Sequence, residues 1–225
     1  MLKSNLDEFR KVERDKEVYF QEGNAQRIRE RLRSYKPRLR SRRIALIFQF
    51  LTASRVSEIV GKYFYPINNY VIANYGDEKA LLFNMKTAKR MGREKFIAIP
   101  LNPKYEPFSQ EILEYFEAKK KRGSKKAFSF STRTLQNHAE DCFKGLNYII
   151  EQRGEINRHQ RKVLTHGLRH FRATELVMNY GFDSIDLAIF CGWTLRTATG
   201  LGIADRYVSY QWQRYFPKLL KPYAS

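Results

Sequence analysis

The chain has 225 residues, 43% hydrophobic and 14% aromatic, which is enough for one folded core with a small appendage and too apolar for a disordered polymer. Forty-two Lys and Arg stand against 23 Asp and Glu, a formal charge of +19 with a pI near 10.0, so the surface favours a polyanion such as nucleic acid. No apolar run is long enough to span a bilayer and no signal-peptide core opens the chain; the two cysteines, Cys142 and Cys191, have neither metal-site spacing nor a disulfide framework, so an intracellular location is expected.

Residues 1–25 read as a polar, mixed-charge helix. Between Arg27 and Arg43 lie nine basic residues and one acid, Glu30, the pattern of a solvated or phosphate-facing stretch, and Pro37 should interrupt any helix there. Residues 1–38 are therefore taken as a basic helical segment or linker, and 39–225 as the main domain with its C-terminal tail. IALIFQFLTASRVSEIV follows as an apolar helix, with Ile44, Ile47, Phe48 and Leu51 at helical spacing.

The period changes after Pro66. NYVIANY, ALLFNMK and KFIAIPL are short runs rich in Val, Ile, Phe and Tyr, separated by turn-like YGDEK and TAKRMGRE, which predicts a three-stranded antiparallel sheet over residues 69–101. Helix returns at FSQEILEYFEAKKKR. Further helices are expected in TLQNHAEDCFKGLNYIIEQRG, HGLRHFRATELVMNYG and DSIDLAIFCGW, each ending near glycine. No repeat or low-complexity tract occurs, and the sum is a mostly helical α+β domain with one small sheet.

Three local patterns carry chemistry. Ala53-Ser54-Arg55-Val56-Ser57-Glu58-Ile59 closes the apolar helix, Thr165-His166-Gly167-Leu168-Arg169-His170 opens another, and Cys191-Gly192-Trp193 precedes Asp205-Arg206-Tyr207-Val208-Ser209-Tyr210. Arg55 and Glu58 are three apart, so on a helix the carboxylate can orient the guanidinium. A planar guanidinium fork suits two phosphate oxygens, and a helix start such as that carrying His166 and Arg169 is favourable for a phosphate. Each pattern alone has a plain structural reading: a surface ion pair, a packed histidine, a core tryptophan.

In this order and spacing, the three patterns resemble the tyrosine recombinases, the family of lambda integrase, the Xer recombinases and Cre, over residues 40–212. The resemblance implies a mostly helical catalytic domain with a small three-stranded antiparallel sheet. It implies that Arg55 and Arg169 clamp a DNA phosphate, that His166 holds a phosphate oxygen or moves the tyrosine proton, and that Glu58 and His170 support them. Trp193 stands where many relatives have histidine and the Cre-like members have tryptophan; its indole N–H can donate but cannot shuttle a proton. Lys86, in NMKTAKR, matches the hairpin lysine that protonates the leaving 5′-oxygen, with Lys89 and Lys95 as alternatives. Tyr207 is the expected nucleophile, although it lies 14 positions after Trp193, longer than the usual family spacing; Tyr210 and Tyr215 are alternatives.

The implied activity is site-specific cutting and rejoining of double-stranded DNA through a 3′-phosphotyrosine, as an integrase does, with viral genome integration among the roles open to it. The assembly implied is a homotetramer on DNA, with a monomer as the alternative off DNA, located in the cytoplasm with the nucleoid or in a host cell's cytoplasm. No cofactor is expected: there is no Walker A string, no zinc-type His/Cys cluster and no acidic two-metal constellation. Arg38, Arg40, Arg42, Arg43, Lys89 and Arg90 are expected to contact DNA. The tail QWQRYFPKLLKPYAS is expected to dock on a neighbouring protomer. The family's N-terminal DNA-clamping domain has no counterpart in the short stretch before the first motif, which suggests a catalytic fragment or a minimal enzyme. Two rival functions are a non-catalytic DNA-binding protein of the same fold and a type IB topoisomerase-like nicking-closing enzyme.

Overall fold

The computed structural model describes residues 17–19, 24–60, 65–88, 94–152, 155–193 and 212–223, with backbone alone at 17–19, 24 and 148–161. The centre is α2 (Arg40–Leu51), whose residues from Ile44 to Leu51 are all buried. Pro37 separates it from α1 (Asn24–Ser34), as the sequence leads one to expect. An aromatic cluster gathers round Phe48, with Phe83, Tyr65, Phe116 and Phe128 at ring-centroid distances of 4.9, 5.2, 5.4 and 5.9 Å. These edge-to-face and tilted contacts join α2, the sheet and α4 (Ser109–Lys121) into one core.

The expected antiparallel sheet is present, in the order β2 (Tyr70–Tyr75), β3 (Glu78–Lys86), β4 (Glu94–Pro100). Tyr70 pairs with Phe83, and Phe83 with Ile97. Gly76 takes φ 56°, the left-handed value that a two-residue hairpin turn favours at its first position. On β4 the inward set is Lys95, Ile97 and Ile99, while Phe96 faces out.

A second three-stranded sheet corrects two expectations. Glu17–Tyr19 forms β1, not part of a helix, and pairs with β5 (Asn147–Gln152), which pairs with β6 (Glu155–Lys162). The stretch 134–154 is not one helix. Helix α5 (Thr132–Cys142) stops before Gly145, whose φ of 77° turns the chain, and the Ile149-Ile150 pair continues as strand. The physical reason is β-branching: adjacent isoleucines lose rotamer freedom in a helix and pack well on a pleated surface.

Helices α6 (Thr165–Met178) and α7 (Ser184–Cys191) appear where expected. A short 3-10 turn (Trp212–Arg214) and α8 (Phe216–Leu219) close the described chain. Trp212, Tyr215, Phe216 and Leu219 are buried against their own domain. Trp212 and Phe216 pack on Tyr75 of β2, and Arg214 and Lys218 bond Asp183 and Asp186 at the start of α7.

Candidate active site

The first motif departs from a plain helix end. Helix α2 stops at Thr52, Ala53 adopts φ 46°, and Arg55 becomes the N-cap of the four-residue α3 (Val56–Ile59). Left-handed backbone at a residue with a Cβ is strained, and such strain gathers at functional sites. The Ala53 carbonyl accepts a 2.8 Å hydrogen bond from Arg169 Nη1. The kink thus ties the first motif to the second across 116 residues.

Glu58 is the hub. Its side chain is fully buried; Oε1 accepts from Arg55 Nη1 at 3.0 Å and from the Ala88 backbone N–H at 3.1 Å. Oε2 accepts from the Arg55 backbone N–H at 3.0 Å and from Lys95 Nζ at 3.4 Å, and lies 3.9 Å from Arg169 Nη1. Burial alone would raise the Glu58 carboxyl, but Lys95, the two backbone donors and Arg169 outweigh it and hold the group below the usual carboxylate range. Glu58 is therefore ionised at neutral pH. Arg55, Lys95 and Arg169 surround this one carboxylate, an excess of positive charge suited to an anion.

Arg169 is buried; its Nη2 donates to the Cys191 carbonyl at 3.3 Å, and its guanidinium carbon lies 5.6 Å from the Trp193 ring centroid. Trp193 is held there by the end of α7. Gly192 takes φ 67°, its N–H donates to the Ile189 carbonyl, and the Trp193 N–H donates to Ala188 at 2.8 Å. This is the glycine-terminated helix end that aligns two backbone donors on the last turn. A Cβ on Gly192 would lie 2.8 Å from Thr87 Cγ2 and 3.1 Å from Lys95 Cδ, so only glycine lets the third motif approach the sheet this closely.

On the first turn of α6, His166 is exposed, and its Nε2 lies 3.0 Å from Nε2 of His170. Burial, His166 and Arg169 all push the His170 imidazole below its usual value. One ring nitrogen donates and the other accepts, the tautomers deciding which.

Lys86 is exposed, at the end of β3 opposite Glu94 and two residues before the Ala88 donor to Glu58. Lys95 instead points inward, and its side chain is 1% exposed. Alternation along KFIAIPL carries that signal, since Lys95 shares a face with Ile97 and Ile99. Tyr215 is buried, donates to the Phe96 carbonyl and accepts from the Ala98 N–H, and burial raises its phenol above the usual value. It is committed to packing. Tyr207 and Tyr210, and the expected DNA contacts Lys89 and Arg90, lie outside the described residues.

The basic stretch divides. Arg29 is buried, against the expectation of a solvated run, because Glu106 and Glu175 pair with it. Arg40 pairs loosely with Glu111 and Glu114, Arg43 with Glu111, and Arg42 stacks 3.9 Å from the Phe130 centroid. Arg38 is exposed. Among the described residues, no group of three or more His, Cys, Asp or Glu could hold a metal ion, and no helix is long and apolar enough to cross a membrane.

Comparison with solved structures places the fold. The chain resembles XerH site-specific recombinase bound to palindromic difH substrate in a post-cleavage complex, with TM-score 0.58 and 14% identity over 80% of this chain and 48% of that one. It also resembles XerH bound to difH substrate in a pre-cleavage complex, with TM-score 0.56 and 14% identity over 87% of this chain and 53% of that one. The chain thus spans about half the length of the recombinase chains it matches, and its fold is that of a tyrosine-recombinase catalytic domain. No protein-family model matches, and no curated protein matches.

Proposed function

We propose that the chain is a site-specific DNA recombinase that cuts and rejoins duplex DNA through a phosphotyrosyl intermediate. The observation that carries this reading is the meeting of two guanidinium groups from distant motifs at one buried carboxylate, with Trp193 beside them. Arg55 and Arg169 supply donors for two non-bridging phosphate oxygens, where negative charge accumulates as phosphorus becomes five-coordinate. The similarity to DNA-bound recombinases supports DNA as the partner.

In this mechanism the Tyr207 oxygen attacks the phosphorus, the bond to the 5′-oxygen breaks, and a 3′-phosphotyrosyl ester forms. The phenolic proton passes to a base, for which the His166–His170 pair is placed beside Arg169. Lys86 gives the departing 5′-oxygen its proton. A second strand's 5′-hydroxyl reverses the step, and the ester conserves the energy of the broken phosphodiester. Four protomers on two duplexes form the working assembly.

The test is covalent trapping. The chain is incubated with a pool of duplexes carrying a randomised centre and scattered nicks, so that the short 5′-fragment is lost after cleavage. A protein–DNA adduct stable to denaturant is expected with the wild type and absent with Tyr207→Phe. Absence of any adduct overturns the reading. Loss in Tyr210→Phe instead moves the nucleophile three residues along the chain.

A further inference from the structure

We infer that Lys95 is a positioning residue of this site: its ammonium locks the Glu58 carboxylate into the orientation that aims Arg55 at the phosphate. The inference rests on the proposed recombinase reading for its chemistry, though not for its geometry. Lys95 Nζ lies 3.2 Å from Ser54 Oγ and 3.4 Å from Glu58 Oε2. Its stem runs against the Gly192 turn, where a Cβ would come within 3.1 Å of Lys95 Cδ. One side chain thus links the kink after α2, the Glu58 carboxylate that pairs with Arg55, and the turn that presents Trp193.

Its burial separates Lys95 from the groups that touch DNA. At 1% side-chain exposure, the ammonium has no open face for a leaving oxygen, whereas Lys86 is exposed at the hairpin end. Stability gives no adequate reason for the arrangement either. Buried ion pairs are often replaced by apolar side chains of similar volume without loss. What the ammonium adds is direction. Glu58 spends Oε1 on Arg55 and Ala88, and Oε2 is shared by the Arg55 backbone N–H and Lys95, so the ammonium is the one side-chain brace that ties this oxygen to the sheet and resists a swing of the carboxylate. A fixed carboxylate holds the Arg55 fork at one angle, and small misplacements of such groups cost about 100-fold in rate.

The first measurement needs no DNA. In protein labelled with 15N-arginine, the Arg55 Nε–Hε signal should be rigid in the wild type and should broaden or lose order in Lys95→Met, while the Arg29 signal is unchanged. Equal order at Arg55 in both proteins overturns the inference, whether or not the chain cuts DNA. The second measurement is single-turnover cleavage of a nicked duplex recovered from the trapping pool. Lys95→Met should cut about 100-fold more slowly, and a 5′-bridging sulfur in place of the leaving oxygen should not restore it, since that group departs without an acid. Rescue by sulfur makes Lys95 the acid and overturns the positioning role; Lys86→Ala serves as the comparison that sulfur should rescue. A methylphosphonate at the scissile position, which removes one phosphate charge, should narrow the gap between Lys95→Met and wild type, an effect that general loosening would not produce. If Lys95→Met does not fold, Ser54→Ala removes the second anchor of Nζ, and unchanged Arg55 order there overturns the inference equally.

Discussion

Two clusters of buried charge lie along α6, one reached by Arg169 and the other by Arg172 and Glu175, and they are built on opposite rules. Around Arg29, two arginines meet two carboxylates: Arg29 bonds both oxygens of Glu106 and Glu175, and Arg172 also bonds Glu175. Phe50 and Tyr223 cover the Arg29 guanidinium, with centroids at 5.1 and 4.7 Å, and the four groups are 3% exposed or less. Around Glu58, three cations meet one carboxylate, and the Arg55 side chain is 28% exposed. Balance and dryness mark the first as structural. Surplus positive charge with an opening to solvent suits the second to an anion. Burial alone does not distinguish them, and neither does the number of ion pairs.

The comparison breaks most severely if the Arg29 cluster proves dispensable. Arg29→Met leaves the buried Glu106 carboxylate without its partner and Glu175 with Arg172 alone, and a loss of about 3–5 kcal/mol is expected, read as a shift of the urea midpoint. Next, Arg55→Ala should leave the midpoint close to wild type while lowering adduct formation by about 10²–10³-fold, the size found when one charge-stabilising donor is removed. If Arg55→Ala cuts normally, the surplus-charge cluster is not the reaction site.

A third change sharpens the contrast through backbone. Gly192→Ala places a Cβ 2.8 Å from Thr87 Cγ2 at a φ of 67°. A cost of about 1–3 kcal/mol is expected, together with slower cleavage as Lys95 and Trp193 shift; unchanged kinetics would mean that the turn does not set the site.

Acid provides a graded test of both clusters. Burial raises the Glu175 carboxyl, but Arg29 and Arg172 outweigh it and hold it below the usual range, as Lys95 and the backbone donors do for Glu58. Both groups have lower pKa values folded than unfolded. Their contribution is therefore complete above the unfolded value of about 4.3 and is lost as pH falls through the folded values. Urea midpoints measured downward from about pH 6 should fall below that point, and Glu175→Gln should flatten the slope. The smallest effect belongs to the surface: Arg40→Ala, whose side chain is 55% exposed, should change stability by less than about 1 kcal/mol. If Arg40 contacts phosphate, the same variant should reduce the salt dependence of DNA binding by about one unit of slope.

Much of this was legible in the sequence where one period dominated. Strands β2 to β4 and helices α6 and α7 follow from alternation and from glycine stops, and the Arg55–Glu58 pairing from a spacing of three. The kink at Ala53 was not legible, because alanine carries no mark of left-handed backbone; it is stabilised from 116 residues away by Arg169. The burial of Arg29 is hidden for the same kind of reason. Its partners Glu106 and Glu175 are 77 and 146 residues distant, and a basic run gives no local sign of them. Strand β5 does not show in the sequence because NYIIEQRG ends in glycine as a helix does, although its paired isoleucines favour the pleated form.

The phenol of Tyr215 has a consequence for the solubility of so basic a chain. Strand β4 lies at an outer margin of its sheet, where backbone groups left open invite another molecule to add a strand. The Tyr215 hydroxyl occupies two of them, the Phe96 carbonyl and the Ala98 N–H, like a peg closing a zipper. Truncation before Trp212 would uncover that margin beside the outward ring of Phe96, and the shortened protein should associate with itself through main-chain pairing.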